Sequence, residues 1–182
     1  MICTLQTSRL TLRPFASSDL TALEALFQEE SIWWYPLRRA MTPSETSQFL
    51  RRRLAENEIV DAPSLHAVVE RASGNLAGYV GLCVPHFLPE VLPAIEVGWR
   101  LGESFRGKGF AVEAAREALR WGFEDLQLSR VLSIFEPENT ASGRVMERLG
   151  FQSFSHTVDP HFGFSLEVRE LSVSAWRLER SS

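Results

Sequence analysis

Residues 94–111 read Ala94-Ile95-Glu96-Val97-Gly98-Trp99-Arg100-Leu101-Gly102-Glu103-Ser104-Phe105-Arg106-Gly107-Lys108-Gly109-Phe110-Ala111. The first half, to Leu101, is a strand, and Gly98 inside it marks a bulge or a close backbone approach. The second half opens the longest helical pattern of the chain. That pattern runs from Gly107 to about Phe123, with Ala111, Ala114, Ala115 and Ala118 on one face. Two glycines at a helix start leave the first N–H groups uncovered by side chains. These N–H groups have no partner inside the helix, and the helix dipole favours an anion beside them. Arg106 and Lys108 add formal positive charge, so a pyrophosphate suits the site.

Working outward, Arg9–Arg13 alternates polar and apolar residues and is a strand ended by Pro14. Ser17-Ser18-Asp19 caps a helix carrying Leu20, Leu23, Leu26 and Phe27. Trp33, Trp34 and Tyr35 then stand before Pro36, either lining a pocket or anchoring two helices. Thr42-Pro43-Ser44-Glu45 opens a second helix with Phe49, Leu50 and Leu54 as its apolar stripe. Leu65–Glu70 and Leu76–Val84 form a hairpin about Ser73-Gly74-Asn75. After the long helix, Arg130–Phe135 is a strand and Thr140–Leu149 a helix closed by Gly150. Phe151–Val158 and Leu166–Leu178 are expected as final strands. The order β-α-α-β-β-β-α-β-α-β-β predicts an α+β fold, a largely antiparallel sheet with one β-α-β crossover inside it. No linker divides the 182 residues, so 1–182 is expected as one domain.

Composition removes several function classes. Apolar residues make up 45% and charged residues 23%, an ordinary soluble balance with no apolar run of membrane length. The start of the chain lacks a basic region followed by an apolar stretch, so a cytoplasmic location is expected. Cys3 and Cys83 are isolated, and His66, His86, His156 and His161 show no zinc spacing, so no metal is expected. A net charge of −4 gives no footprint for nucleic acid. Arg51-Arg52-Arg53 is either a site for an acidic partner such as a ribosomal surface or, as is usual for so short a run, a solvated helix face.

Three phosphate-binding patterns compete for the 102–111 segment. Gly102 to Lys108 has the spacing of a Walker loop, but Gly109 follows where Ser or Thr must hold Mg²⁺. A dinucleotide fingerprint needs Gly or Ala where Val112 stands, and needs the first β-α unit of a parallel sheet. The coenzyme A pyrophosphate pattern, R/Q-x-x-G-x-G/A, fits Arg106-Gly107-Lys108-Gly109-Phe110-Ala111.

With that loop in view, the chain resembles the GNAT superfamily of N-acetyltransferases, most of all its RimJ/RimL branch of ribosomal-protein N-terminal acetyltransferases. Thr7-Ser8-Arg9-Leu10-Thr11-Leu12-Arg13-Pro14 is similar to that branch's first strand. Glu96–Trp99 with Arg106–Ala111 resembles its coenzyme motif. Asn139-Thr140-Ala141-Ser142, followed by Leu149-Gly150-Phe151, resembles its Asn-x-x-Ser and Gly-Phe motif, and a late strand ending in Trp176 also fits. The resemblance covers nearly the whole chain. It implies a splayed central sheet with acetyl-coenzyme A, as co-substrate, wedged into the opening of a β-α-β site. It places Val97, Gly98, Trp99 and Leu101 along the pantetheine arm and Arg106, Gly107, Lys108, Gly109, Phe110 and Ala111 at the pyrophosphate. It sets Asn139 on the pantetheine and Ser142 near the thioester sulfur.

The implied reaction is acetyl transfer to a primary amine, on a protein N-terminus or a small molecule. Oligomeric state is open between monomer and homodimer. The attacking amine must be neutral, so a base has to take its proton. Glu96, on the strand before the loop, is the candidate base, with His86 and His161 in reserve. A backbone N–H at a Gly98 bulge is expected to face the oxyanion. Many relatives protonate the leaving thiolate with a tyrosine; this chain has only Tyr35 and Tyr79, neither near the Asn139 motif, so Ser142 is the candidate acid. A non-catalytic coenzyme A-binding module on the same fold is the alternative.

Overall fold

The computed structural model describes residues 3–33, 35–59 and 62–179. Among these, the strands are β1 (Leu5–Gln6), β2 (Leu10–Arg13), β3 (Leu65–Glu70), β4 (Leu76–Cys83), β5 (Glu96–Leu101), β6 (Arg130–Phe135), β7 (Gln152–Val158) and β8 (Ser165–Ser172). The helices are α1 (Leu20–Phe27), α2 (Pro43–Glu56), α3 (Phe110–Arg120), α4 (Thr140–Arg148) and α5 (Val173–Glu179). One sheet holds the strands in the order β1-β2-β3-β4-β5-β6-β8-β7. Every neighbouring pair is antiparallel except β5 and β6, which α3 joins as a crossover. The predicted α+β class is what forms. No helix among the described residues is long and apolar enough to cross a membrane.

Burial on the two faces follows the strand alternation. Val80, Leu82, Val97 and Leu101 pack with Phe110, Ala114, Ala115 and Ala118 of α3, with Met146 of α4 and with Leu149 just after it. The small alanine face lets α3 lie close to the sheet. The opposite face sends Leu65, Ala67 and Tyr79 against Leu23, Leu26 and Phe27 of α1 and Phe49 and Leu50 of α2. α2 starts with a reciprocal cap. Thr42 Oγ1 accepts from the Glu45 N–H at 3.3 Å, and Glu45 Oε2 accepts from the Thr42 N–H at 2.8 Å.

Two expectations need correction. The chain after β8 is not strand to Leu178. It turns at Ser172, whose Oγ accepts from the Ala175 N–H at 3.2 Å, and becomes α5, carrying Trp176 onto Phe123. Ser172 is an N-cap residue, but Leu171, Val173 and Ala175 alternate about it as a strand would and mask the cap. There is also no bulge at Gly98. The β4–β5 register runs unbroken through Val80↔Trp99, Gly81↔Gly98 and Leu82↔Val97, and the register shift lies at Val68/Val69 in β3.

Gly81 and Gly98 face each other across β4 and β5 but have different reasons to be glycine. A Cβ on Gly81 would lie 2.3 Å from the Ser64 carbonyl oxygen and 2.7 Å from Leu65 Cα, both backbone. A Cβ on Gly98 meets nothing within 4 Å. Gly81→Ala should therefore cost about 2 kcal/mol or more, while Gly98→Ala should stay within about 0.5 kcal/mol of wild type in urea unfolding. Equal losses would contradict this packing.

Candidate active site

β5 and β6 lie side by side but pair only at Glu96↔Leu132. There the Leu132 N–H donates to the Ile95 carbonyl at 2.8 Å, and the buried Ser133 Oγ donates to the Val97 carbonyl at 3.0 Å. Past this point the strands diverge into a cleft of about 990 Å³. Antiparallel pairing alternates which residues address the neighbour. The Gly102 N–H bonds the Ala77 carbonyl at 2.9 Å, so even-numbered residues of β5 turn their peptide groups to β4. The odd-numbered residues therefore turn theirs to the cleft, where no strand accompanies Trp99 or Leu101. The Gly98 N–H faces β4, which removes it as the oxyanion donor.

The glycine loop closes one end of the cleft. Gly107 (φ 72°) and Gly109 (φ 80°) are left-handed, and the first α3 bond runs from the Glu113 N–H to the Gly109 carbonyl at 3.0 Å. The N–H groups of Phe110, Ala111 and Val112 thus have no partner within the helix. The loop is braced from behind. Arg9 donates to the Lys108 carbonyl at 2.9 Å and, through Nε, to Glu113 Oε2 at 2.7 Å. Thr7 Oγ1 donates to Glu113 Oε1 at 2.5 Å. Burial opposes ionisation of Glu113, but these donors hold its carboxyl below the usual range. Arg106 folds back so that its Nε donates to the Leu101 carbonyl at 3.0 Å. Lys108 is exposed, does not line the cleft, and lies over the Phe105 and Phe110 rings. The positive charge expected of Lys108 at the pyrophosphate therefore stands outside the cleft lining.

Asn139 caps α4 on the facing wall, its Oδ1 accepting from the Ser142 N–H at 3.1 Å. The cap occupies the oxygen and leaves the carboxamide nitrogen for a ligand. Ser142 is half-buried and lines the same wall.

The other end of the cleft is acidic. Glu96, Glu136, Asp159 and Tyr35 line it. Arg38 pairs with the buried Glu136 at 2.6 Å. The Tyr35 hydroxyl donates to the Asp159 carboxylate, and burial together with that bond raises the phenol well above its ordinary pKa. Burial opposes ionisation of Asp159, but Tyr35 and the Phe162 and His161 N–H groups hold it below the usual carboxylate range. Glu96 behaves oppositely. Burial pushes it up to about 7, only partly offset by the Cys83 thiol and Arg100. A carboxylate poised near neutrality beside an open cleft can take a proton from an amine.

A family model described as Acetyltransferase (GNAT) domain matches residues 9–152. The chain belongs to the GNAT acetyltransferase family. It is 26% identical over 146 residues to the uncharacterized N-acetyltransferase YnaD of Bacillus subtilis (strain 168), covering 80% of this chain and 81% of YnaD. It is 30% identical over 66 residues to the [ribosomal protein uS5]-alanine N-acetyltransferase of Escherichia coli (strain K12), covering 36% of this chain and 34% of that protein. The structure of the ribosomal L7/L12 alpha-N-protein acetyltransferase RimL, solved with coenzyme A, superposes with a TM-score of 0.77 at 15% identity, covering 95% of this chain and 99% of RimL. At that identity the likeness is one of fold. The GNAT family uses acetyl-coenzyme A, and this chain is an acyltransferase.

In this GNAT acetyltransferase the expected site residues converge on one cleft. Glu96, Val97, Gly98, Trp99, Leu101, Arg106, Gly107, Gly109, Phe110, Ala111, Asn139 and Ser142 all line it. His86 and His161 do not; both are exposed outside its lining. The aromatic run divides: Trp33 is buried against Phe27, Trp34 lies outside the described residues, and Tyr35 reaches the cleft. Sequence reasoning left Tyr35 open between pocket wall and helix anchor, and it passed over Cys83, Ser133, Glu136 and Asp159. They reach the cleft by sheet order and loop path, and nothing in their local sequence signals it. Among the described residues no three His, Cys, Asp or Glu side chains gather as a metal site.

The raised Glu96 pKa has a stability consequence with a definite sign. Its folded value lies above the ordinary one, so the fold binds a proton that the unfolded chain releases. The contribution is fully present below about pH 4.5 and is lost as pH rises through about 7. Glu96→Gln carries no such loss. It should be more stable than wild type by about 3 kcal/mol above pH 8 and equal to it near pH 4, measured by urea unfolding across pH. A constant difference across pH would contradict the assignment.

Proposed function

We propose that the chain transfers an acetyl group from acetyl-coenzyme A to a primary amine, on a protein N-terminus or a small molecule, with Glu96 as the general base. The observation that carries this reading is the polarity of the cleft. Unpartnered helix N–H groups and a glycine loop stand at one end, and a carboxylate titrating near neutrality stands at the other. A passive binding module has no need of the second end.

The residues fit the donor. The N–H groups from Gly107 to Ala111 would hold the pyrophosphate, the cleft-facing peptide groups of Trp99 and Leu101 the pantetheine arm, and the Asn139 carboxamide its amide. Acetyl-coenzyme A supplies the activated acyl group. Glu96 and Asp159 draw in a cationic amine, while Arg38 meets the charge of Glu136. α-Amino groups titrate near ~8 and lysine near ~10.4, so the amine arrives protonated and Glu96 removes the proton. The Leu132 pairing takes the Val97 N–H, so the Trp99 N–H, the next one past the splay, faces the developing oxyanion. Tyr35 has its proton committed to Asp159 and so makes a poor acid. Ser142 is left to hydrogen-bond the departing sulfur.

Glu96→Gln should lower turnover by ~10²–10⁴-fold with acetyl-coenzyme A affinity nearly unchanged. The defect should shrink at high pH, where more of the amine is already neutral. Product mass with a panel of amines and N-terminal peptides, pH–rate profiles, and calorimetry with the coenzyme check this. Wild-type turnover by the Gln variant at neutral pH would remove Glu96 from the mechanism. No acetylation of any amine, with the coenzyme still bound, would leave a binding module instead.

A further inference from the structure

Cys83 stands directly opposite Glu96 in the β4–β5 register, and both line the cleft. Cys83 Sγ donates to Glu96 Oε1 at 3.3 Å, and among the described residues this is the one side-chain hydrogen bond to that carboxylate. A glutamate on a strand can swing through several rotamers. A single donor on one oxygen limits that freedom and decides which oxygen is left over. A thiol is a weak donor, so it can hold the carboxylate without binding its charged form tightly. A hydroxyl in the same place would make a shorter, stronger charge-assisted bond.

We propose that Cys83 is a positioning residue for the general base: its S–H occupies Glu96 Oε1, leaves Oε2 to the acceptor amine, and by its weakness sets the pH at which the base becomes ionised. The inference rests on the reading of Glu96 as base.

Other charged and titratable groups face the pair from every side. Tyr79 lies on β4 and Arg100 on β5. Tyr35 and Arg38 come from the loop before α2, Glu136 from beyond β6, and Asp159 from the loop after β7. On the Cys83 side stand Arg53 and Glu56 of α2, paired at 2.6 Å. All are chemically unchanged when Cys83 is substituted, so the Ser and Ala variants differ from each other in the donor.

The test compares kcat/KM against pH for wild type, Cys83→Ser and Cys83→Ala, with acetyl-coenzyme A and one amine. A stronger donor favours the ionised carboxylate, so the acid limb should move to lower pH in the Ser variant. Loss of the donor should move it to higher pH in the Ala variant. Each shift of about half a unit reads as about threefold in kcat/KM on the limb. A limb unmoved, or moved in the same direction by both, overturns the proposal. Glu96→Gln is the control. If it is inactive while the Cys83 variants leave the limb in place, the base stands and Cys83 only packs. If it keeps wild-type turnover, the base reading itself has failed.

A second readout approaches the pair from the sulfur. Burial and then the Glu96 charge raise the Cys83 thiol well above its ordinary pKa. In a Cys3→Ser background, iodoacetamide should therefore alkylate Cys83 faster when Glu96 is also Gln, at a pH near 8. Equal rates overturn the coupling even if Cys83→Ala does not fold.

Discussion

A sheet cannot leave peptide groups unpaired in its middle without some other partner. Here β5 and β6 share one parallel pairing, Glu96↔Leu132, and the rest of the molecule is arranged around that break. Ser133 takes the Val97 carbonyl and Arg106 takes the Leu101 carbonyl. Phe110, Phe135 and Met146, in one core cluster, fill the space beneath the divergence. What stays unsatisfied is a short row of β5 peptide groups, and an extended ligand arm that hydrogen-bonds as a strand would suits that row. The break persists because each half-sheet is tied elsewhere, β5 to β4 along its whole length and β6 likewise to β8.

The glycine loop depends on contacts far away in sequence. Lys108 contributes a carbonyl to Arg9, and Arg9 is locked to Glu113 together with Thr7. The first strand region therefore sets the shape of the phosphate end of the cleft. This explains why a fold built mostly from local hairpins needs its N-terminal strand beside α3.

Much of this was readable in advance, for physical reasons that vary by element. β3 and β6 are short β-branched runs with clear turn residues beside them, and their limits match the prediction. α2 and α4 announce themselves through caps at Thr42 and Asn139. α5 did not, because apolar residues before and after Ser172 continue one pattern and hide a one-residue change of period. β1 has two residues, too few to show any alternation. At the site, Glu96, Asn139 and the glycine loop were legible because each sits in a local motif. Cys83 was not, since only strand register brings it to Glu96, and Tyr35 was legible only as one of two alternatives, pocket wall or helix anchor, between which its loop path decides.

The acidic end of the cleft also gives the cycle a direction. An amine that arrives as a cation feels Glu96 and Asp159 together. After acetylation the same nitrogen is a neutral amide with no charge for them to hold. On the proposed chemistry, the carboxylates that capture the substrate let go of the product without any moving part, and they discriminate against its return.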